Sequence, residues 1–231
     1  MSAFSGNPLE GQVVSILGGA GTMGSAVAVE VSALGGRPVL VGRNADRLAA
    51  AAERLRGEVA TRVADVGTRE GLEQAFHDVG RLDHIVVAIS ANVSAGSIKT
   101  TDSTTARRVF NRFWVSYDAL QIAPSVLPRA GSVTLISGSS ARTPAPGYGV
   151  WGALHGSIEA LARAAAVDIA PIRVNVVSPG GIDLEPDRQL VERRGEPSDI
   201  GAAVALLLLN SAMTGAVLDV DSGERKGNWN G

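Results

Sequence analysis

The chain has 231 residues, 45% hydrophobic and 19% charged, which suits one globular α/β domain over residues 1–231 and excludes disorder. With 21 basic against 23 acidic residues the formal net charge is −2, so nothing recommends nucleic acid or an anionic membrane as partner. Cysteine is absent, which excludes thiol chemistry and Cys-based metal sites.

Apolar runs of strand length alternate with longer helical stretches. Gln12–Leu17 reads as a buried strand and Gly18–Gly24 as a glycine-rich turn. Ser25–Leu34 reads as a helix closed by Gly35-Gly36, where a left-handed cap needs glycine. Pro38–Val41 is the next strand, Ala45–Leu55 an Ala/Leu/Arg helix, and Val59–Ala64 a third strand. A helix around Thr68–Val79 and a strand at His84–Ala88 extend the pattern. The following helix, Thr104–Ala123, is expected to end at Pro124, and Ser132–Ile136 is a further strand. A long helix from about Val150 carries Leu154, Ile158, Leu161 and Ala165 on one stripe. Arg173–Val177, the helix Ser198–Leu209 and the strand Val217–Val220 complete the series. Such alternation predicts a doubly wound parallel sheet of about seven strands, a Rossmann-type fold with helices on both faces.

The N-terminal residues lack the basic and apolar regions of a secretory signal. The longest apolar run, Ala202–Leu209, is far below the ~20 residues of a membrane span. A cytoplasmic protein with no membrane partner is the expectation.

Gly18, Gly21 and Gly24 follow a strand and open a helix, with Thr22 and Met23 between the last two. Glycines so placed let the backbone turn sharply and approach a pyrophosphate, while the helix N-terminus offers free N–H groups. The plain alternative is a structural glycine turn. After the second strand, Gly42-Arg43-Asn44 stands where NAD-preferring folds place an Asp or Glu for the ribose hydroxyls. Arg43 instead offers a planar cation suited to the 2′-phosphate of NADP(H), or is merely a solvated Arg before a helix. Asp65-Val66 would lie under the adenine, although a lone Asp can equally cap a helix.

These pieces, with Ile136-Ser137-Gly138-Ser139, Arg173-Val174-Asn175-Val176-Val177-Ser178-Pro179-Gly180, Glu196-Pro197-Ser198-Asp199-Ile200 and Val220-Asp221-Ser222-Gly223, resemble the short-chain dehydrogenase/reductase family. The resemblance covers about residues 11–223 and implies NAD(P)(H) binding and a homodimer or homotetramer. It adds Ser90, Pro179, Gly180 and Ile182 to the expected cofactor contacts. The family's subunits commonly pair through helices corresponding to Thr104–Ala123 and the one from Val150. Here those carry Phe110, Phe113, Trp114 and Tyr117, then Leu154, Ile158 and Leu161.

Family members reduce or oxidise a carbonyl with a Ser and a Tyr-x-x-x-Lys pair. Matching the helix stripe puts Trp151 at the Tyr position and His155 at the Lys position. Sliding the register to Tyr148 leaves Gly152 at the Lys position, so neither choice restores the pair. An indole N–H cannot serve as the acid. The serine position aligns with Gly138, flanked by Ser137 and Ser139, and Leu184 replaces the Thr that binds the carboxamide. Asn111, or the neighbouring Arg112, stands near the family's helix Asn.

Four residues are therefore candidates for chemistry. His155 is an imidazole able to move a proton near neutral pH, or a half-buried filler of the vacated Lys space. Tyr148 is a phenol near the same mouth, and Ser137 and Ser139 are hydroxyls that polarise a carbonyl or cap a loop end. Trp151 would line an apolar substrate cleft, whereas His77 and His84 read as surface residues. The favoured function is an atypical NADP(H)-binding oxidoreductase for a small apolar or aromatic carbonyl or alcohol. The rivals are an isomerase, dehydratase or cyclase in the same cleft, and a non-catalytic NADP(H)-sensing or scaffold protein.

Overall fold

Runs rich in Val, Leu and Ile, apolar on both faces, suit strands covered by helices on either side. The computed structural model describes residues 6–77, 79–90, 93–180 and 189–224. Its strands are β1 Val13–Leu17, β2 Arg37–Gly42, β3 Ala60–Val63, β4 His84–Val87, β5 Ser132–Ile136, β6 Arg173–Pro179 and β7 Val217–Val220. Its helices are α1 Thr22–Ala33, α2 Ala45–Ala52, α3 Arg69–His77, α4 Ser103–Val126, α5 Gly149–Asp168 and α6 Pro197–Leu209. All strands pair in parallel, in the order β3-β2-β1-β4-β5-β6-β7. The order reverses between β1 and β4, which opens a crevice at their carboxyl ends.

The strand period of two divides the core. Val13 and Leu17 of β1 pack with Leu72, Ala119 and Leu154 of α3, α4 and α5. Val14 and Ile16 pack on the opposite face with Val27, Leu48 and Val204 of α1, α2 and α6. Leu154 and Ile158 are fully buried against the sheet, so these two positions of the α5 stripe belong to the core. Gly35, at φ +81°, takes the left-handed turn after α1.

Pro124 does not end α4. The helix runs on to Val126, with the Leu127 N–H donating to Ala123, so Pro124 forfeits one bond within the last turn. A 3-10 turn, Ser139–Ala141, follows β5, where the apolar pattern marks no element. The Arg173-Val174-Asn175 signature has a structural task. The Arg173 guanidinium donates to the carbonyls of Leu207 and Leu208 at the end of α6, at 2.7 and 2.8 Å, and complements that helix's negative pole. Asn175 ties β6 to the next turn through the Met213 carbonyl and the Ala216 N–H.

His84 is not a surface residue. It is 4% exposed, with Nδ1 2.8 Å from Ser132 Oγ and Nε2 2.7 Å from Gln12 Oε1. Burial, reinforced by the Arg173 charge, lowers its pKa from 6.5 to about 4. Among the described residues no helix is long and apolar enough to cross a membrane, and no His/Cys/Asp/Glu group could hold a metal ion.

Candidate active site

The glycine turn forms because nothing larger fits. Gly18 has φ +83°, and a Cβ there would lie 2.7 Å from the Ala88 carbonyl oxygen across the crevice. At Gly24 a Cβ would lie 2.2 Å from the Gly18 carbonyl oxygen, so α1 packs directly on the turn. Gly21 is the N-cap of α1 and has no side chain to occupy the first N–H groups of the helix. A cleft of about 730 Å³ opens there, lined by Gly18, Gly21, Thr22, Arg43, Arg47, Val66 and Ser90 among others. Met23 lines the next cleft along, toward the start of α5.

Arg43 is exposed and makes no hydrogen bond or ion pair among the described residues, while facing two adjoining clefts. Asn44 is spent as the N-cap of α2, accepting from the Arg47 N–H at 2.8 Å. Arg47 is a second cation on this rim, its guanidinium on the Ala20 carbonyl at 3.1 Å. The motif around Arg43 did not single out Arg47, although its place four residues further on was a signal. Asp65 accepts from the Gly67 N–H at 3.0 Å, so its carboxylate shapes the turn while also lining the second cleft, of about 560 Å³. Val66 is buried beside it, and Ser90 borders all three clefts. A turn crowded against any Cβ and helix N–H groups without a side-chain cap suit the phosphates of a dinucleotide.

The third cleft, of about 310 Å³, brings Ser137, Ser139, Tyr148, Trp151, His155 and Pro179 together. It also includes Arg112, Gly138 and Ser140. Gly180 is pinned by its N–H to the Val220 carbonyl, and Ser139 packs against it. Ile182 and Leu184 lie outside the described residues.

Ser137 is turned to other work. Its hydroxyl donates to buried Glu159 at 3.0 Å, and Arg142 holds the other Glu159 oxygen at 2.6 Å while also pairing with Asp219. That hydroxyl is therefore occupied, which removes it from the candidates for polarising a substrate. Ser139 is half-buried and keeps its place on the cleft wall. Tyr148, the N-cap residue of α5, is 53% exposed at the mouth. The Trp151 indole donates to the Ala95 carbonyl at 3.2 Å, which fixes the ring as cleft wall.

His155 sits one turn on, its ring 6.1 Å from that of Trp151. A Cβ on Gly138 would lie 2.6 Å from the imidazole, so the ring fills the space a serine there would need. Its Nδ1 is 2.8 Å from Ser140 Oγ and its Nε2 3.4 Å from Arg112 Nη1. Burial and the Arg112 charge lower the His155 pKa from 6.5 to about 4. The expectation of an imidazole titrating near neutrality is thus corrected: at pH 7 the ring is neutral. Arg112, not Asn111, reaches this point, and burial lowers its pKa to about 10, leaving it charged at neutral pH. Neither Ser140 nor Arg112 stood among the four residues that the sequence offered for chemistry.

A crevice at a topological switch point, with a glycine turn and a helix N-terminus at one end and hydroxyls, imidazole and indole at the other, is the arrangement of nucleotide-binding doubly wound folds. The family model for enoyl-(acyl carrier protein) reductase matches residues 18–224. The chain belongs to the short-chain dehydrogenase/reductase family, whose relatives are oxidoreductases that bind NAD(P)(H). It is 26% identical to the short-chain dehydrogenase/reductase ATR9 of Stachybotrys chlorohalonatus, over 93% of this chain and 97% of that protein. It is 28% identical to the 3-oxoacyl-[acyl-carrier-protein] reductase of Bos taurus, over 92% and 97% respectively. The MalC reductase/Diels-Alderase structure from Malbranchea aurantiaca superposes with a TM-score of 0.84 at 26% identity, over 94% of this chain and 96% of that one.

Proposed function

We propose that this chain is an atypical NADP(H)-dependent oxidoreductase acting on a small apolar or aromatic carbonyl or alcohol without a Tyr–Lys pair. The observation that carries the reading is three adjoining clefts that share Ile89 and Ser90, with the uncapped α1 terminus and unpaired Arg43 at one end and Trp151 and His155 at the other. Gly18, Gly21 and the first turn of α1 would hold the pyrophosphate, and Arg43, with Arg47 behind it, the 2′-phosphate. Asp65, Val66 and Ser90 would border the nucleotide, and Pro179 and Gly180 the nicotinamide end. Bound there, NADP(H) supplies or accepts a hydride.

This chain's own residues supply the rest. Trp151 walls the cleft and orients a flat apolar substrate. His155, neutral at pH 7, works by hydrogen bonding rather than as an acid, which leaves Tyr148 or water at the open mouth to deliver a proton. A second copy would cover the exposed aromatic strip of α4, where Trp114 and Tyr117 are 57% and 41% exposed and stack edge-on. With no basic excess and no spanning helix among the described residues, we assign a cytoplasmic setting.

The test is turnover. The purified chain is given NADPH and a panel of aryl ketones and quinones, following NADPH absorbance and product together. NADPH loss matched by alcohol formation is the expected result. Product formed with no loss of NADPH would replace this reading with an isomerase, dehydratase or cyclase. NADPH binding with no turnover of any kind would favour a sensor or scaffold.

A further inference from the structure

Arg112 is a half-buried cation on a cleft wall, and no carboxylate pairs with it among the described residues. It lines both the second and third clefts, and its Nε is out of solvent without a hydrogen-bond partner. Its Nη1 donates to His155 Nε2 at 3.4 Å and its Nη2 to the Ile136 carbonyl at 3.5 Å. Neither acceptor carries charge, so the cation stands uncompensated.

Arginine only donates, and this fixes the direction of the chain beyond it. His155 Nε2 must accept, so the neutral ring carries its proton on Nδ1. Nδ1–H then donates to Ser140 Oγ at 2.8 Å. The Ser140 proton is left to point away from the imidazole, and Ser140 lines the cleft. Two glycines make the arrangement possible. A Cβ on Gly138 would collide with the His155 ring at 2.6 Å, and one on Gly152 would lie 2.8 Å from the Ser140 carbonyl oxygen. Both close approaches press the 3-10 turn onto α5 and hold Ser140 against His155.

We propose that Ser140, His155 and Arg112 form an oxyanion-binding site, taking the oxygen of an enolate, phenolate or alkoxide. The Ser140 hydroxyl touches that oxygen. His155 and Arg112 act through it as positioning residues, orienting the hydroxyl and supplying the opposing charge. The proposal rests on the reading of this cleft as the substrate site, and it narrows the substrate to one that develops negative charge on oxygen. It explains why a neutral imidazole is useful here: a protonated ring would place a second cation beside Arg112.

The probe is 4-nitrophenolate, titrated calorimetrically into the full chain at a pH where it is ionised, with 4-nitrotoluene as its uncharged match. Phenolate is expected to bind at least about 10-fold tighter than 4-nitrotoluene, as a hydrogen bond to a charged oxygen implies. Ser140→Ala should remove about 10-fold of phenolate affinity and leave 4-nitrotoluene unchanged, and Ser140→Thr should restore it. Arg112→Gln should abolish the preference for the anion. The three histidines allow a ligand-free check by nitrogen NMR, with His155→Gln as the assignment. The His155 ring should be the Nδ1-protonated tautomer at neutral pH. An Nε2-protonated ring, equal affinity for the two probes, no phenolate binding, or an unaffected Ser140→Ala variant would each overturn the site. NADPH titration of the same samples keeps the two readings apart. Phenolate binding without NADPH binding sinks the nucleotide reading alone, and the reverse sinks only the oxyanion site.

Discussion

Acidification through the window from pH 6.5 to 4 is expected to remove several kcal/mol of folding stability. His84 and His155 both have folded pKa values near 4, below the ordinary 6.5, because each is buried neutral near an arginine. The unfolded chain therefore takes up two protons that the folded chain refuses until lower pH. A lowered folded value means that stability is fully present above pH 6.5 and drains as pH falls toward 4. A tenfold difference in proton affinity is worth about 1.4 kcal/mol, so each ring contributes on the order of 2–3 kcal/mol across the window. Urea unfolding at a series of pH values should show the slope, and His84→Gln with His155→Gln should flatten it whatever their stability at neutral pH. An unchanged slope in the double variant would mean that carboxylates and not these rings control the acid limb.

Gly24→Ala is expected to be severely damaging to the turn between β1 and α1. The new methyl would lie 2.2 Å from the Gly18 carbonyl oxygen, 2.8 Å from its carbon and 2.9 Å from Gly19 Cα. All three are backbone atoms, so no side-chain rotation relieves the clash, and the turn itself must move off α1. The overpacking costs about 1–3 kcal/mol. Displaced N–H groups should lower NADPH affinity by roughly a hundredfold, since each charge-assisted contact is worth roughly 1.5–3 kcal/mol. Gly156→Ala is the control. Nothing lies within 4 Å of a Cβ there, and α5 should gain about 0.5–1 kcal/mol from the better helix former. Thermal melts and NADPH titrations of the two variants separate a specific clash from a general intolerance of alanine.

The parallel sheet was legible because its signals are local. Buried runs such as Val13–Leu17 and Ser132–Ile136 fall where the apolar pattern put them, and the glycine turn lies between β1 and α1. Pro124 misled because the cost of a proline falls on one bond, and the last turn of a long packed helix absorbs it. The buried polar groups were not legible, since their partners come from distant stretches. His84 is held by Gln12 and Ser132, and Glu159 by Ser137 and Arg142. The same holds at the mouth. His155 and Trp151 could be found by counting along α5, but Ser140 meets His155 only through the 3-10 turn, which no periodicity announces. Arg112 enters from α4, and whether it or Asn111 reached inward depended on a helical phase the sequence left open.

The most direct test is a calorimetric titration of the chain with NADPH and with NADH under identical conditions. The reading rests on the crevice at the β1–β4 switch point and on Arg43, exposed there with no partner among the described residues. NADPH should bind about 10- to 100-fold tighter than NADH, the worth of one charge-assisted phosphate contact, and Arg43→Ala should erase most of that difference. Equal affinity for the two cofactors would contradict the assignment of Arg43, and binding of neither would contradict the nucleotide site itself.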